Sequence, residues 1–87
     1  MRPPPPTIDG AKVLLFACID PIPTSSGAGR FMPSGLAICQ YQSDASIFLF
    51  ACDEYWACVS HTRHQTPEEA MTQSEFEFDY VSKWRPR

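Results

Sequence analysis

The chain has 87 residues, a formal net charge of −3 and a sequence pI near 5.1, and 44% of its residues are apolar. That length suits one domain and not two, and the apolar share is that of a globular protein, which excludes a wholly disordered chain. Seven basic residues spread along the sequence argue against nucleic acid as a partner, since phosphate-binding surfaces cluster Lys and Arg, and no apolar run approaches the roughly 20 residues of a membrane span.

Residues 1–10 carry four consecutive prolines, Pro3 through Pro6. Proline fixes φ and removes a donor, so residues 1–10 are expected to lie outside the domain as a disordered or polyproline-like extension, with the domain itself at 11–87. Residues 12–19 are apolar and closed by Asp20-Pro21, as a buried strand would be. Residues 21–34 then form a long loop in which Arg30, Phe31 and Met32 sit outside any core pattern. Residues 35–42 and 46–52 read as a hairpin around Ser43-Asp44, and 55–61 as a fourth strand. On that strand Trp56, Cys58 and Ser60 would share one face.

Thr66-Pro67-Glu68-Glu69 is the most specific local signal. Thr66 can cap free N–H groups, Pro67 suits the first helical position and Glu69 can complete a capping box. From 67 to about 81, Ala70, Met71, Ser74, Phe78 and Val81 fall on one face of a helix. Residues 75–80 also alternate with period two, a strand pattern. The cap decides for the helix, which leaves Phe76 and Tyr80 as a second apolar patch beside the stripe.

Cys18, Cys39, Cys52 and Cys58 each sit inside an apolar run, where a free cysteine behaves as a small buried hydrophobe. Lys12 followed by residues 13–17 and Cys18 has the outline of a lipoprotein signal, but its apolar stretch ends short of the roughly 7–15 residues such a signal needs. Reduced thiols in a cytoplasmic protein are the expectation. His61 and His64, with Cys52 and Cys58 upstream, form the one cluster of metal-ligand types, giving a metal-binding or Cys/His-dependent protein as an alternative reading. No cysteine pair has structural zinc spacing, and residues three apart on a strand point to opposite faces. A nucleophile–base–orienter set, a cofactor loop and a phosphate loop are likewise not assembled by recognised spacing, so no catalytic residue, cofactor or metal is assigned.

The run from Phe50 through Asp53 and Trp56 to Thr66-Pro67-Glu68-Glu69-Ala70, closing on Tyr80 and Trp84, resembles small uncharacterised bacterial proteins that end in a capped helix rich in Glu and aromatics. That resemblance implies no activity. On Thr66, Glu68, Glu69 and Ala70 the chain is also similar to HicB-type antitoxins, which run from a strand into a Thr-x-Glu-Glu-Ala helix start beside a small antiparallel sheet. It departs from that family in having a strand where a first helix is expected, and in lacking an appended DNA-binding segment.

The fold expected is α+β: a four-stranded antiparallel meander with one C-terminal α-helix packed on one face. The function expected is a non-enzymatic cytoplasmic protein-interaction module, immunity- or antitoxin-like, that binds another, basic protein. Glu75, Glu77 and Asp79 would supply complementary charge, and Arg30, Phe31 and Met32 the apolar anchors. The alternative is a structural homodimer or larger homo-oligomer that pairs sheet edges or the Phe76/Tyr80 patch.

Overall fold

The computed structural model describes residues 2–19, 33–78 and 83–87, the side chains of Glu77 and Phe78 excepted. In chain order it shows β1 (Thr7–Ile8), β2 (Ala11–Cys18), β3 (Gly35–Gln40), β4 (Ile47–Cys52), β5 (Cys58–His64), α1 (Pro67–Phe78) and β6 (Arg85–Pro86). The strands form one antiparallel sheet in the order β1-β2-β3-β4-β5, and β6 returns to pair with β2. The class is α+β, and the four long strands follow the expected meander. Two points differ: among the described residues the sheet has six strands rather than four, and the helix is not the last element. β1 and β6 are two residues each, too short to leave a periodic signal.

The centre of the sheet explains why both of its faces are dry. β3 and β4 are unbroken apolar runs, and strands buried on both sides read that way. Register pairs Ala37 with Phe50 and Ile38 with Leu49, so alternate residues build two cores. Leu36, Ile38, Ile47, Leu49 and Ala51 pack under α1 with Ala70. Ala37, Cys39, Phe50 and Cys52 pack on the opposite side with Ile8, Val13, Phe16 and Trp56. A register shift between Val13 and Leu15 lets Leu14 and Leu15 both join the helix-side core before Phe16 returns to the other.

The helix starts where its cap dictates. The Glu69 backbone N–H donates to Thr66 Oγ1 at 3.1 Å, and the Gln65 N–H donates to Glu69 Oε1 at 3.2 Å, one residue before the usual capping-box partner. Ala70 and Ser74 are wholly buried. The Ser74 hydroxyl donates to the Met71 carbonyl at 2.6 Å, which satisfies the one polar group on that stripe. With Ala70 and Ser74 docked four residues apart, the helical period holds through the alternating stretch to Phe78. Residues 79–81, the expected end of the helix, lie outside the described residues.

The fourth long strand begins at Cys58, three residues later than expected. The cause is Asp53. Its Oδ1 accepts the Tyr55 N–H at 2.8 Å and the Ala57 N–H at 2.9 Å, and the Asp53 N–H donates to the Ala57 carbonyl at 3.0 Å. These bonds fold 53–57 into a turn with Trp56 at φ 64°, a conformation that costs a bulky residue roughly 1–2 kcal/mol. Trp56 is therefore not on a strand face beside Cys58 and Ser60. Its indole turns back onto the sheet, 4% exposed and edge-on to Phe16 at 6.1 Å.

The N-terminal segment also departs from expectation. Residues 2–8 lie on the domain: Pro4 is fully buried, and Thr7–Ile8 pairs with Lys12 and Ala11 through a turn at Asp9 (φ 50°) and Gly10 (φ 83°). Two successive positive-φ residues are what a type I′ two-residue hairpin turn demands.

Candidate functional site

The sheet has two unlike edges. Along β2, β1 covers Ala11–Lys12, β6 covers Leu15–Phe16, and the Arg87 N–H donates to the Leu14 carbonyl at 3.1 Å. At the opposite side β5 pairs with β4 alone among the described residues. Among the described residues no strand lies beside its outer row of N–H and C=O groups, the condition under which an edge accepts an extended chain.

α1 packs on β4 and β5. His64, Glu68, Glu69, Thr72, Gln73 and Phe76 line an open groove of about 600 Å³ where strand and helix meet. Phe76 is 88% exposed there, because the helical period carries it off the Ala70/Ser74 stripe. Glu68, Glu69 and Glu75 are exposed on the same helix. Tyr55 and Val59 are the other large apolar side chains turned to solvent among the described residues, and they lie at the far end of β5.

Of the residues expected at a binding site, Glu75 is on this exposed surface. Glu77 lies in α1, with its side chain outside the description. Asp79 and Tyr80, and the loop residues Arg30, Phe31 and Met32, fall outside the described residues altogether. Sequence reasoning named sheet edges as an association surface without singling out β5, because which strand ends a sheet is set by pairing and not by local pattern.

The Cys/His cluster is dispersed by the sheet. His61 pairs with Phe50 and its ring rests against Phe48 and Phe50, while His64 pairs with Ile47 and shares a 2.7 Å hydrogen bond with the Thr62 hydroxyl. Odd separation on a strand puts the two imidazoles on opposite faces. Among the described residues no group of three His, Cys, Asp or Glu side chains is placed to hold a metal ion. Cys58 donates to the Ser60 carbonyl at 3.4 Å.

All four thiols are free, but only Cys39 and Cys52 are buried. Cys58 is half-buried, and Cys18 is exposed, contrary to the expectation from its apolar neighbours. Burial, with a further push from Cys58, raises Cys39 and Cys52 to about 12. Burial and then the charge of Asp9 raise Cys58. A thiol that keeps its proton is a poor nucleophile at neutral pH. The raised values have a measurable consequence. The unfolded chain ionises these thiols near 9, whereas the folded chain keeps Cys39 and Cys52 protonated to about 12. Their contribution to stability is whole below pH 9 and is lost as pH rises from there toward 12, by at most about 1.4 kcal/mol per pH unit for each thiol. Urea unfolding between about pH 8 and about pH 10.5 reads this. The Cys39→Ala/Cys52→Ala double variant should show a flatter alkaline decline than the wild type, and an equal decline would assign the loss to other groups.

No protein-family model, curated protein or solved structure matches this chain. None of the helices among the described residues is long and apolar enough to cross a membrane.

Proposed function

We propose that this protein is a non-enzymatic interaction module that binds a basic, extended segment of another protein along β5 and the outer face of α1. The observation that carries it is the combination of a strand edge with no partner strand among the described residues and a helix that presents Phe76, 88% exposed, among Glu68, Glu69 and Glu75. The backbone of β5 supplies generic hydrogen bonds, the phenyl ring an apolar anchor, and the carboxylates selection for cations. Charge complementarity of this kind would suit an immunity- or antitoxin-like role against a basic target, and it fits the net charge of −3. Raised thiol pKa values and the separation of His61 from His64 support a binding role over Cys/His catalysis.

Affinity capture from cells that contain the native protein, beside light scattering of the purified chain, is the test. A specific heterologous partner is expected, with binding weakened at least roughly tenfold by Glu75→Lys combined with Phe76→Ala. Both residues are exposed, so the melting temperature should barely move. A stable homodimer that captures nothing would instead assign the β5 edge to self-association.

A further inference from the structure

A proline-rich segment offers a binding surface only its ring faces and its carbonyl oxygens, since proline has no N–H to give. Whatever recognises such a segment must therefore combine an apolar slot for a ring with donors aimed at carbonyls. The N-terminal arm meets that arrangement on its own domain. Pro4 is fully buried, whereas Pro3, Pro5 and Pro6 are exposed. The carbonyls at alternate positions all accept hydrogen bonds, each from a different element. The Trp56 indole Nε1–H donates to Arg2 O at 2.9 Å, Arg87 Nε donates to Pro4 O at 2.7 Å, and the Val13 N–H donates to Pro6 O at 2.9 Å. Trp56 reaches Arg2 from a left-handed turn residue, and strain of that kind persists where the surroundings over-determine it.

We propose that the face formed by Trp56, the β2 edge and Arg87 is a polyproline-recognition groove, filled in cis by residues 2–6, which accepts a proline-rich segment of a partner protein when the arm vacates it. The ligand class follows from the arm itself: arginine followed by consecutive prolines, extended by covalent constraint and so bound with little ordering cost. The groove lies at the closed edge of the sheet, and the proposal is independent of docking at β5. A tethered arm acts at an effective concentration of about millimolar, so a ligand in trans must compete at that level unless the arm is weakened.

The test uses the 87-residue chain carrying Pro3→Ser, Pro4→Ser and Pro5→Ser, and a capped synthetic peptide, Arg-Pro-Pro-Pro-Pro-Thr. The reporter is the Trp56 indole N–H resonance, distinguished from that of Trp84 with Trp84→Phe. In the substituted chain that resonance should leave its wild-type position and return to it saturably with peptide up to about 5 mM. The wild type should need roughly tenfold more peptide, and a peptide with its prolines replaced by serine should have no effect. If the substituted chain does not fold alone, the proline peptide should restore its dispersed spectrum. Absence of both the return and the restoration overturns the proposal, as does equal action by the serine peptide. A wild-type dimer that exchanges arms, dissociates on Pro4→Ser and excludes the peptide would overturn the partner as occupant in favour of a second copy.

Discussion

Trp56→Ala should lower the unfolding free energy by about 3–5 kcal/mol, the usual cost of truncating a buried tryptophan. The stability of an 87-residue domain is roughly 4–13 kcal/mol, so this is a large share of the whole. The losses are specific: the edge-to-face contact with Phe16, the bond to Arg2 O, and the cover over Cys52 and Phe50. The left-handed backbone adds a signature that a simple cavity would not give. Glycine adopts φ 64° without strain and alanine does not. Trp56→Gly should therefore be more stable than Trp56→Ala, by about 1 kcal/mol, although it removes one more carbon. Denaturant unfolding of the two variants at matched m-values measures the difference. An alanine variant that equals or exceeds the glycine variant would show that the turn relaxes once the indole is gone.

Leu49→Ala should cost about 2–5 kcal/mol, and its effect should be confined to the other core. Leu49 is 2% exposed and lies between Ile38 and Thr62 in the sheet, within the cluster that supports α1 through Ala70. Amide exchange of residues 67–78 should accelerate, because a helix of 12 residues depends on its packed stripe more than on its own propensity. The Trp56 indole resonance, on the opposite face, should stay in place. Leu49→Met, which nearly conserves volume, should cost less than about 1.5 kcal/mol. Loss of protection at the Val13 amide, which donates to Pro6 O, together with α1 would mean that the two cores unfold as one unit.

Those two cores also mark where the sequence could be read and where it could not. The Thr66-Pro67-Glu68-Glu69 signature states its own local chemistry, and the structure places the helix start on it. β4 was legible as a strand from Ile47, Phe48 and Phe50, and β3 as its hairpin partner across Ser43-Asp44. Their unbroken apolar runs also carried the evidence for two buried faces, which an assumption of one solvent-facing side overlooked. The arm left no such trace. Four prolines look alike whether they dangle or dock, because what holds them is a tryptophan 54 residues away and an arginine 83 residues away. The late start of β5 was hidden in the same manner, since Asp53-Glu54 marks a turn but not that one carboxylate gathers two N–H groups. At the candidate docking surface, the exposure of Phe76 and the acidity of α1 follow from helical period. The edge of β5 follows only from topology.

The closed edge along β2 has a consequence for stoichiometry. Edge-to-edge growth of a sheet into a polymer requires each copy to offer two joining sides, one for the copy before it and one for the copy after. Here one side is already occupied from within the chain, through β1, β6 and the Arg87 bond to Leu14. A β5 edge that meets another β5 edge uses up both available sides, and the association stops at two. Any variant that strips β1 or β6 from β2 restores a second joining side, and with it the geometry of a filament.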